Sequence, residues 1–132
     1  MKKLTLLTVL IFSLMFSSTS FADWTKVSSS GGGANTFYVD FERIRKHGGY
    51  VYYWILSDYL KPDKDGDLSE KLYVQGDCKL FRFKYLSDSY HKEPMGRGTP
   101  STSSNKPDKD WRYPSPNSAN EIILKSVCKY AK

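Results

Sequence analysis

The chain has 132 residues, of which 39% are hydrophobic and 26% charged, and its formal net charge is +6. This length suits one small domain and excludes an architecture of several domains. The basic charge is not gathered into blocks, so it permits attraction to acidic surfaces without predicting a nucleic acid partner.

The N-terminal 22 residues predict an export signal. Two lysines precede an apolar run over residues 4–16, and a small-x-small cleavage site ends at Ala22. The run is shorter than the roughly 20 residues of a membrane span, so we expect no membrane insertion after cleavage. Cleavage before Asp23 leaves residues 23–132 as a single domain. Because no lipid-acceptor cysteine follows the site, we expect a protein of the periplasm or a surface or secreted protein.

Cys78 and Cys128 are the two cysteines of the sequence. Export to an oxidising compartment predicts that they form a disulfide. The alternative is a pair of buried free thiols. Zinc needs four closely spaced ligands, and the two histidines, His47 and His91, are not paired with the cysteines. We therefore predict no metal site and no cofactor.

Alternation of apolar and polar residues predicts five strands after the signal. They cover residues 24–27, 36–40, 50–56, 71–78 and 79–86. The Ser- and Gly-rich segment 28–35 predicts a flexible hairpin connection, and segment 41–46 a brief helical turn. The acidic link 61–67 lacks the glycine position and closing glutamate of an EF-hand, which favours a solvated turn over a calcium site.

Two of these strands carry distinctive faces. Segment 50–56 is apolar on both faces, which predicts a central strand with both sides at least partly covered. In segment 79–86 the aromatic residues share one face, whereas Arg82 and Lys84 share the other. A nucleic acid platform has a similar pattern, but export favours core-facing aromatic residues with the cations in water.

Segment 91–110 has no periodicity and contains three prolines, two glycines and a single apolar residue, Met95. Stretches of this length without regular structure in a small domain are usually functional or mobile. We therefore predict a mobile loop.

The clearest local signal predicts a C-terminal helix. Ser118 and Glu121 form a capping box, in which Ser118 is the N-cap and Glu121 returns to its backbone N–H. Apolar residues then fall on one stripe, namely Ile123, Leu124, Val127, Cys128 and Ala131. Strands followed by one helix place the chain in the α+β class, with the helix packed on an antiparallel sheet. Cys128 faces that sheet, where a Cys78 carried on a strand can meet it.

Sequence elements along the whole exported chain resemble one known family. In chain order they are Trp24, Tyr38-Val39-Asp40, Ile44 with a Gly-Gly turn, Tyr52-Tyr53-Trp54, Ser69-x-Lys71, Gly76-Asp77-Cys78-Lys79-Leu80-Phe81-Arg82, Tyr90, Met95-Gly96-x-Gly98, Trp111, Pro116-x-Ser118 and Val127-Cys128. In this order and spacing they are similar to the surface-adhesin protein E family of small exported bacterial proteins.

The resemblance implies a strongly curved antiparallel sheet against the helix, no catalysis, and binding to host extracellular-matrix or serum proteins. The family's best-known type is a lipoprotein of the outer membrane, whereas this chain has Ala22-Asp23 where the acylated cysteine would stand. The alternative function is therefore a soluble periplasmic envelope protein that binds or inhibits another protein. A homodimer through a strand edge is compatible with both.

No motif in the sequence predicts catalysis, which makes a non-enzymatic binding protein the expected class. Neither histidine has a catalytic motif around it, so we interpret both as surface histidines. We expect binding to depend on outward cations and on the loop 91–110. The candidate residues are Arg82, Lys84, Arg97, Lys106 and Lys109.

Overall fold

The computed structural model describes residues 22–132, and the predicted export signal lies outside this part of the chain except for Ala22. The described part contains seven strands and one helix. In chain order they are β1 Thr25–Ser30, β2 Asn35–Val39, β3 Arg45–His47, β4 Tyr50–Tyr59, β5 Ser69–Asp77, β6 Arg82–His91, β7 Thr102–Ser104 and α1 Ala119–Tyr130. Short 3₁₀ turns occupy Gly31–Gly33, Phe41–Arg43 and Pro94–Gly96.

The strands form one antiparallel sheet in the spatial order β1-β2-β4-β5-β6-β7, and β3 pairs with the first residues of β4. The sheet is curled and does not close, and α1 packs on one of its faces. The predicted fold, a curved antiparallel sheet with a C-terminal helix on it, is confirmed. Within residues 22–132 no helix is both long and apolar enough to span a bilayer.

The core lies between β4 and α1. Val51, Tyr53 and Ile55 pack in one cluster with Leu124 and Val127 of the helix, and all five are at most 5% exposed. The other buried members of the cluster are Val39, Val74, Phe83 and Ile123. The side chains on one face of the central strand thus meet the apolar stripe of the helix, which the sequence pattern of the helix predicts to face the core.

The helix begins at the predicted cap. The Ser118 hydroxyl accepts a hydrogen bond of 3.2 Å from the backbone N–H of Glu121. The Glu121 carboxylate accepts from the N–H of Asn117 at 3.3 Å, one residue earlier than the capping box predicts. This shift arises because the N–H of Ser118 already donates to the carbonyl of Ser115.

The predicted disulfide between Cys78 and Cys128 is present, with the two Cα atoms 5.6 Å apart. The expected placement of Cys78 in a strand is wrong, because β5 ends at Asp77. The Asp77 carboxylate accepts hydrogen bonds of 3.1 Å from the N–H groups of both Lys79 and Leu80. These bonds bend the chain into a turn, and Cys78 lies at its start rather than in the ladder.

Several predicted boundaries differ from the structure because backbone pairing extends beyond the apolar pattern. β1 continues to Ser30, so the predicted flexible link is reduced to a tight turn at Gly31–Gly33. The helical turn predicted at 41–46 ends at Arg43 and is followed by β3. β3 consists of Arg45, Lys46 and His47 and is held by its backbone pairing to β4, which the alternation of side chains does not reveal.

The prediction that segment 91–110 contains no regular structure is wrong. β6 extends to His91, a 3₁₀ turn follows, and β7 pairs with the end of β6. His91 is only 1% exposed, which corrects its interpretation as a surface histidine. Its Nε2 lies 2.9 Å from the Ser89 hydroxyl and its Nδ1 lies 3.2 Å from the Gly98 carbonyl oxygen. These two contacts of the His91 ring hold the segment that contains Gly98 against the end of β6.

Candidate binding surface on the sheet

The face of the sheet opposite α1 is called the outer face here. Since Val51, Tyr53 and Ile55 of β4 point toward the helix, the alternate residues of that strand point outward. These are Tyr50, Tyr52 and Trp54, and each is partly exposed. The prediction that both sides of this strand are at least partly covered is confirmed.

Five aromatic side chains form a row on the outer face, and we call them the aromatic row: Tyr50, Tyr52, Trp54, Tyr73 and Trp111. The rings of Tyr73 and Trp54 have centroids 4.8 Å apart, and those of Tyr73 and Tyr52 are 6.3 Å apart. The ring of Trp111 lies 5.4 Å from that of Tyr50. Cross-strand aromatic contacts of this kind stabilise a sheet and fix the rings in place.

Two of the predicted cations lie over the Trp111 end of this row. The Arg82 guanidinium carbon is 4.3 Å from the centroid of the Trp111 ring, and Lys84 Nζ is 4.8 Å from it. Both distances are within the range of cation–π interactions. The sequence predicted the outward orientation of Arg82 and Lys84, and the structure adds the indole on which they lie.

Arg82 and Lys84 differ in their remaining partners. Arg82 Nε donates to Asp77 Oδ2 at 2.9 Å, which fixes the guanidinium and partly neutralises it. Lys84 forms no ion pair in the part of the chain that the structure describes. Lys84 is therefore the cation of this pair that remains available to an acidic partner.

The Asp77 carboxylate anchors this end of the surface. Burial favours a higher pKa for Asp77, but the hydrogen bonds from Leu80, Arg82 and Lys79 outweigh it and keep the pKa below its ordinary value. The hydrogen bond from Arg82 to Asp77, and next to it one with Tyr113, raises the pKa of the guanidinium. Both groups are therefore charged at neutral pH and hold the position of Arg82.

The β3 strand adds one exposed cation, Arg45, and one exposed histidine to the edge of the outer face. Arg45 lies opposite Tyr52 in the register and His47 lies opposite Tyr50, so they share that face with the aromatic row. Both side chains are exposed. Sequence reasoning missed this contribution because it placed the segment in a helical turn.

Arg97 lies at the other end of the outer face. It lines a groove of about 750 Å³ together with Trp24, Arg43, Lys71 and Met95. A smaller neighbouring cavity shares Trp24, Arg43 and Lys71 and has Trp54 of the aromatic row in its wall. Trp54 therefore connects the aromatic row to this second group of cations.

The remaining two candidate cations are not part of these groups. Lys106 lines a separate depression of about 320 Å³, together with Glu70, Asp88 and Asp108. Three carboxylates at this depression make it a poor site for an acidic partner. Lys109 is exposed, and no ion pair ties it to a neighbour within residues 22–132. The five candidates therefore do not form one patch.

The acidic link is the place where described residues have the spacing of metal ligands. Carboxylate oxygens of Asp63, Asp65 and Asp67 lie within 4.8 Å of one another. Protein donors already use two of these carboxylates. Asp63 Oδ1 accepts from the N–H groups of Asp65 and Asp67, and Asp67 Oδ1 accepts from the Ser101 hydroxyl at 2.6 Å. The link is therefore a structural turn packed against the segment before β7, and Asp67 is buried rather than solvated as predicted.

Comparisons with known proteins agree with this architecture. The family model described as surface-adhesin protein E matches residues 24–129. The crystal form II structure of Haemophilus influenzae protein E is similar with a TM-score of 0.61 and 16% sequence identity. The match covers 87% of this chain and 98% of that chain. No curated protein matches the sequence.

Proposed function

The chain belongs to the surface-adhesin protein E family, and we propose that it is an exported, non-enzymatic adhesin-like protein that binds a host matrix or serum protein through its outer face. The observation that carries the proposal is the stacking of Arg82 and Lys84 on Trp111 beside the aromatic row. The complementary surface of the partner would be acidic and would include apolar groups.

The composition of the outer face supports binding to a protein. Aromatic residues and arginine are enriched where protein interfaces contribute most to affinity. The rings of the aromatic row are already fixed by contacts with one another, so little side-chain entropy is lost on binding. Lys84, which forms no ion pair within residues 22–132, adds long-range attraction, and this raises the association rate with an acidic partner.

The surroundings of the histidines support a non-enzymatic role. Both ring nitrogens of His91 are held by Ser89 and by the Gly98 carbonyl inside the protein. His47 is exposed on the short strand β3 and lines a cavity of about 530 Å³, in whose wall Cys78 and Cys128 are joined in the disulfide and so are not free nucleophiles. The His91 ring contacts the Ser89 hydroxyl but is only 1% exposed, so a substrate cannot reach it, and His47 has no hydrogen bond to a nucleophile within residues 22–132.

Ala22-Asp23 in place of an acylated cysteine favours a second candidate, a soluble periplasmic protein that binds or inhibits another envelope protein. Fractionation of intact cells, combined with protease treatment of the cell surface, separates the two candidates. Degradation by external protease supports surface display, whereas protection until the outer membrane is opened supports the periplasmic role.

For the oligomeric state we propose a homodimer through β1, since this six-residue strand is an edge of the sheet.

The binding proposal is tested with immobilised matrix and serum proteins. We expect Trp111→Ala to weaken binding at least about tenfold, as loss of an aromatic residue that contributes strongly to an interface does. Lys84→Glu should slow association and reduce its salt dependence, because exposed charges are screened beyond about 8 Å at physiological ionic strength.

Lys129→Glu is the matched control for charge, since Lys129 is exposed on the helix, at the opposite face. Circular dichroism establishes that each variant remains folded. Equal weakening by Lys84→Glu and Lys129→Glu, or normal binding by a folded Trp111→Ala variant, would exclude the outer face as the binding surface.

A further inference from the structure

Asp40 is a buried carboxylate without hydrogen bond donors. It is 1% exposed, and neither Oδ1 nor Oδ2 has a hydrogen bond partner within residues 22–132. Arg43 Nε lies 3.3 Å from Asp40 Oδ2, but it does not have the geometry of a hydrogen bond, and its side chain is 45% exposed. A buried carboxyl group without hydrogen bond partners costs free energy, so the arrangement is incomplete without a further donor.

The position of Asp40 does not explain the orientation of its side chain. Asp40 is the N-cap of the 3₁₀ turn Phe41–Arg43, yet its side chain makes no capping hydrogen bond. It lines a cavity of about 90 Å³ instead. The other residues that line this cavity are Ala22, Trp24, Arg43, Trp54 and Lys71.

We propose that the Asp40 cavity is the binding site for the chain's own α-ammonium group, which is created when the export signal is removed between Ala22 and Asp23. Hydrolysis adds one water across this peptide bond. Ala22 leaves with the signal as a carboxylate, and the amine of Asp23 takes up a proton. The inference rests on this predicted cleavage and is independent of the adhesin role.

The geometry of the cavity favours this occupant. Ala22 and Trp24 both line the cavity, so the bond to be cut lies beside it. Departure of Ala22 vacates part of the cavity wall at the place where the new ammonium forms. An ammonium supplies three donors, which matches a carboxylate whose two oxygens are both unsatisfied. Trp24 and Trp54 add aromatic faces suited to a cation.

A free cation from solution is a poorer occupant than the chain's own N-terminus. Arg43 and Lys71 line the same cavity and repel an incoming positive charge. The same repulsion acts on the α-ammonium, but its covalent link to Trp24 holds it beside the cavity, so it loses little translational freedom on binding. Three elements besides the N-terminal segment line the cavity. The turn after β2 contributes Asp40 and Arg43 to its wall, β5 contributes Lys71, and β4 contributes the uncharged Trp54. The exposed Asp23 carboxylate belongs to the N-terminal segment itself.

The α-amine can be distinguished from its neighbours by pH. An α-amino group normally loses its proton at about pH 8, whereas Lys and Arg side chains remain charged well above that value. An amine stabilised by a carboxylate holds its proton more tightly when folded. Its contribution to stability is therefore fully present below about pH 8 and is lost at higher pH.

The test compares two exported forms. One begins at Asp23, and the other keeps an added Gly-Ser dipeptide between Ala22 and Asp23, so that its amine is displaced from the cavity. We expect Asp40→Asn to lower the folding equilibrium constant about tenfold at pH 7 in the first form only, and the difference to vanish above pH 9. Glu42→Gln, which changes an exposed carboxylate in the same turn, is the control and should leave both forms unchanged.

A second measurement does not depend on the Asp40 variant folding. The α-amine of the form that begins at Asp23 should react about tenfold more slowly with an amine-selective reagent than the amine of the extended form, because one pH unit of added proton affinity is a factor of ten. Equal reactivity of the two amines, an equal effect of Asp40→Asn in both forms, or a mature N-terminus other than Asp23 in the mass spectrum would overturn the proposal.

Discussion

Removal of the disulfide should be one of the most destabilising changes available in this domain. Cys78 and Cys128 are separated by 50 positions in the sequence, so the bond closes a long loop that includes β6, β7 and most of α1. Loop-closure entropy for a loop of this length corresponds to about 4 kcal/mol in the free energy of unfolding. A small domain has a total of roughly 5–15 kcal/mol, so the bond accounts for a large share.

The assay is urea denaturation of the exported protein and of a variant with both Cys78→Ala and Cys128→Ala. With a slope of roughly 1.5 kcal/mol per molar urea, a loss of about 4 kcal/mol lowers the midpoint by roughly 2–3 M. Reduction of the unmutated protein with dithiothreitol is the matched control, because it breaks the same bond without removing the sulfur atoms. The two treatments should agree to within about 1 kcal/mol if the effect comes from the unfolded chain.

A loss below about 1 kcal/mol in both treatments would refute the reasoning from loop entropy. A large loss on alanine substitution with little effect of reduction would instead assign the stabilisation to packing of the sulfur atoms. Cys128 contacts the buried cluster and Cys78 is exposed, so this second result would point to Cys128 alone.

Two further changes test the core and the anchor of the outer face. Gly76→Ala should lower the free energy of unfolding by about 1–3 kcal/mol, because an added Cβ would lie 2.9 Å from Val51 Cγ2 and 3.2 Å from Leu124 Cδ1. Thermal unfolding measures this loss, and an unchanged midpoint would show that the side chains of Val51 and Leu124 can shift to accommodate the methyl group. Asp77→Asn should cost on the order of 2 kcal/mol at pH 7 through weaker hydrogen bonds in the turn after β5. Because the pKa of Asp77 is lowered in the folded state, its contribution is present above about pH 4 and is lost at lower pH, so the two proteins should converge near pH 2 in urea titrations. A difference that persists unchanged at pH 2 would contradict the assigned role of the carboxylate.

The sequence predicted those parts of the fold whose residues carry a periodic pattern. The stripe of α1 was recognised because burial imposes a period of 3.6 on apolar residues, whereas β4 was recognised as a central strand without its inward face being identified. β3 and β7 escaped recognition because each has only three residues, none of them a large apolar one, and each is held by backbone pairing. Whether a short strand of this kind forms is determined by its pairing with the neighbouring strand, and its own sequence contains little information about this.

The sequence predicted less of the candidate binding surface than of the fold. Alternation in β6 gave the outward direction of Arg82 and Lys84, but their contact with Trp111 joins segments that are more than 25 residues apart. The burial of Asp40 was also invisible, since its position before a turn is typical of an exposed cap. The cation–π contacts on Trp111 and the burial of Asp40 both depend on contacts between segments that are distant in the sequence. No single stretch of the sequence therefore predicts them.

The outer face and the Asp40 cavity share residues, which links the two proposals in space. Trp54 is a member of the aromatic row and also lines the cavity, and Lys71 lines both the cavity and the groove that contains Arg97. An ammonium bound to Asp40 would therefore lie beside the side chains that present the outer face to a partner. Because the helix covers the inner face with the core, the outer face is where a change at the N-terminus reaches exposed aromatic residues. Removal of the export signal would in this way complete the surface in the compartment where it meets its partner.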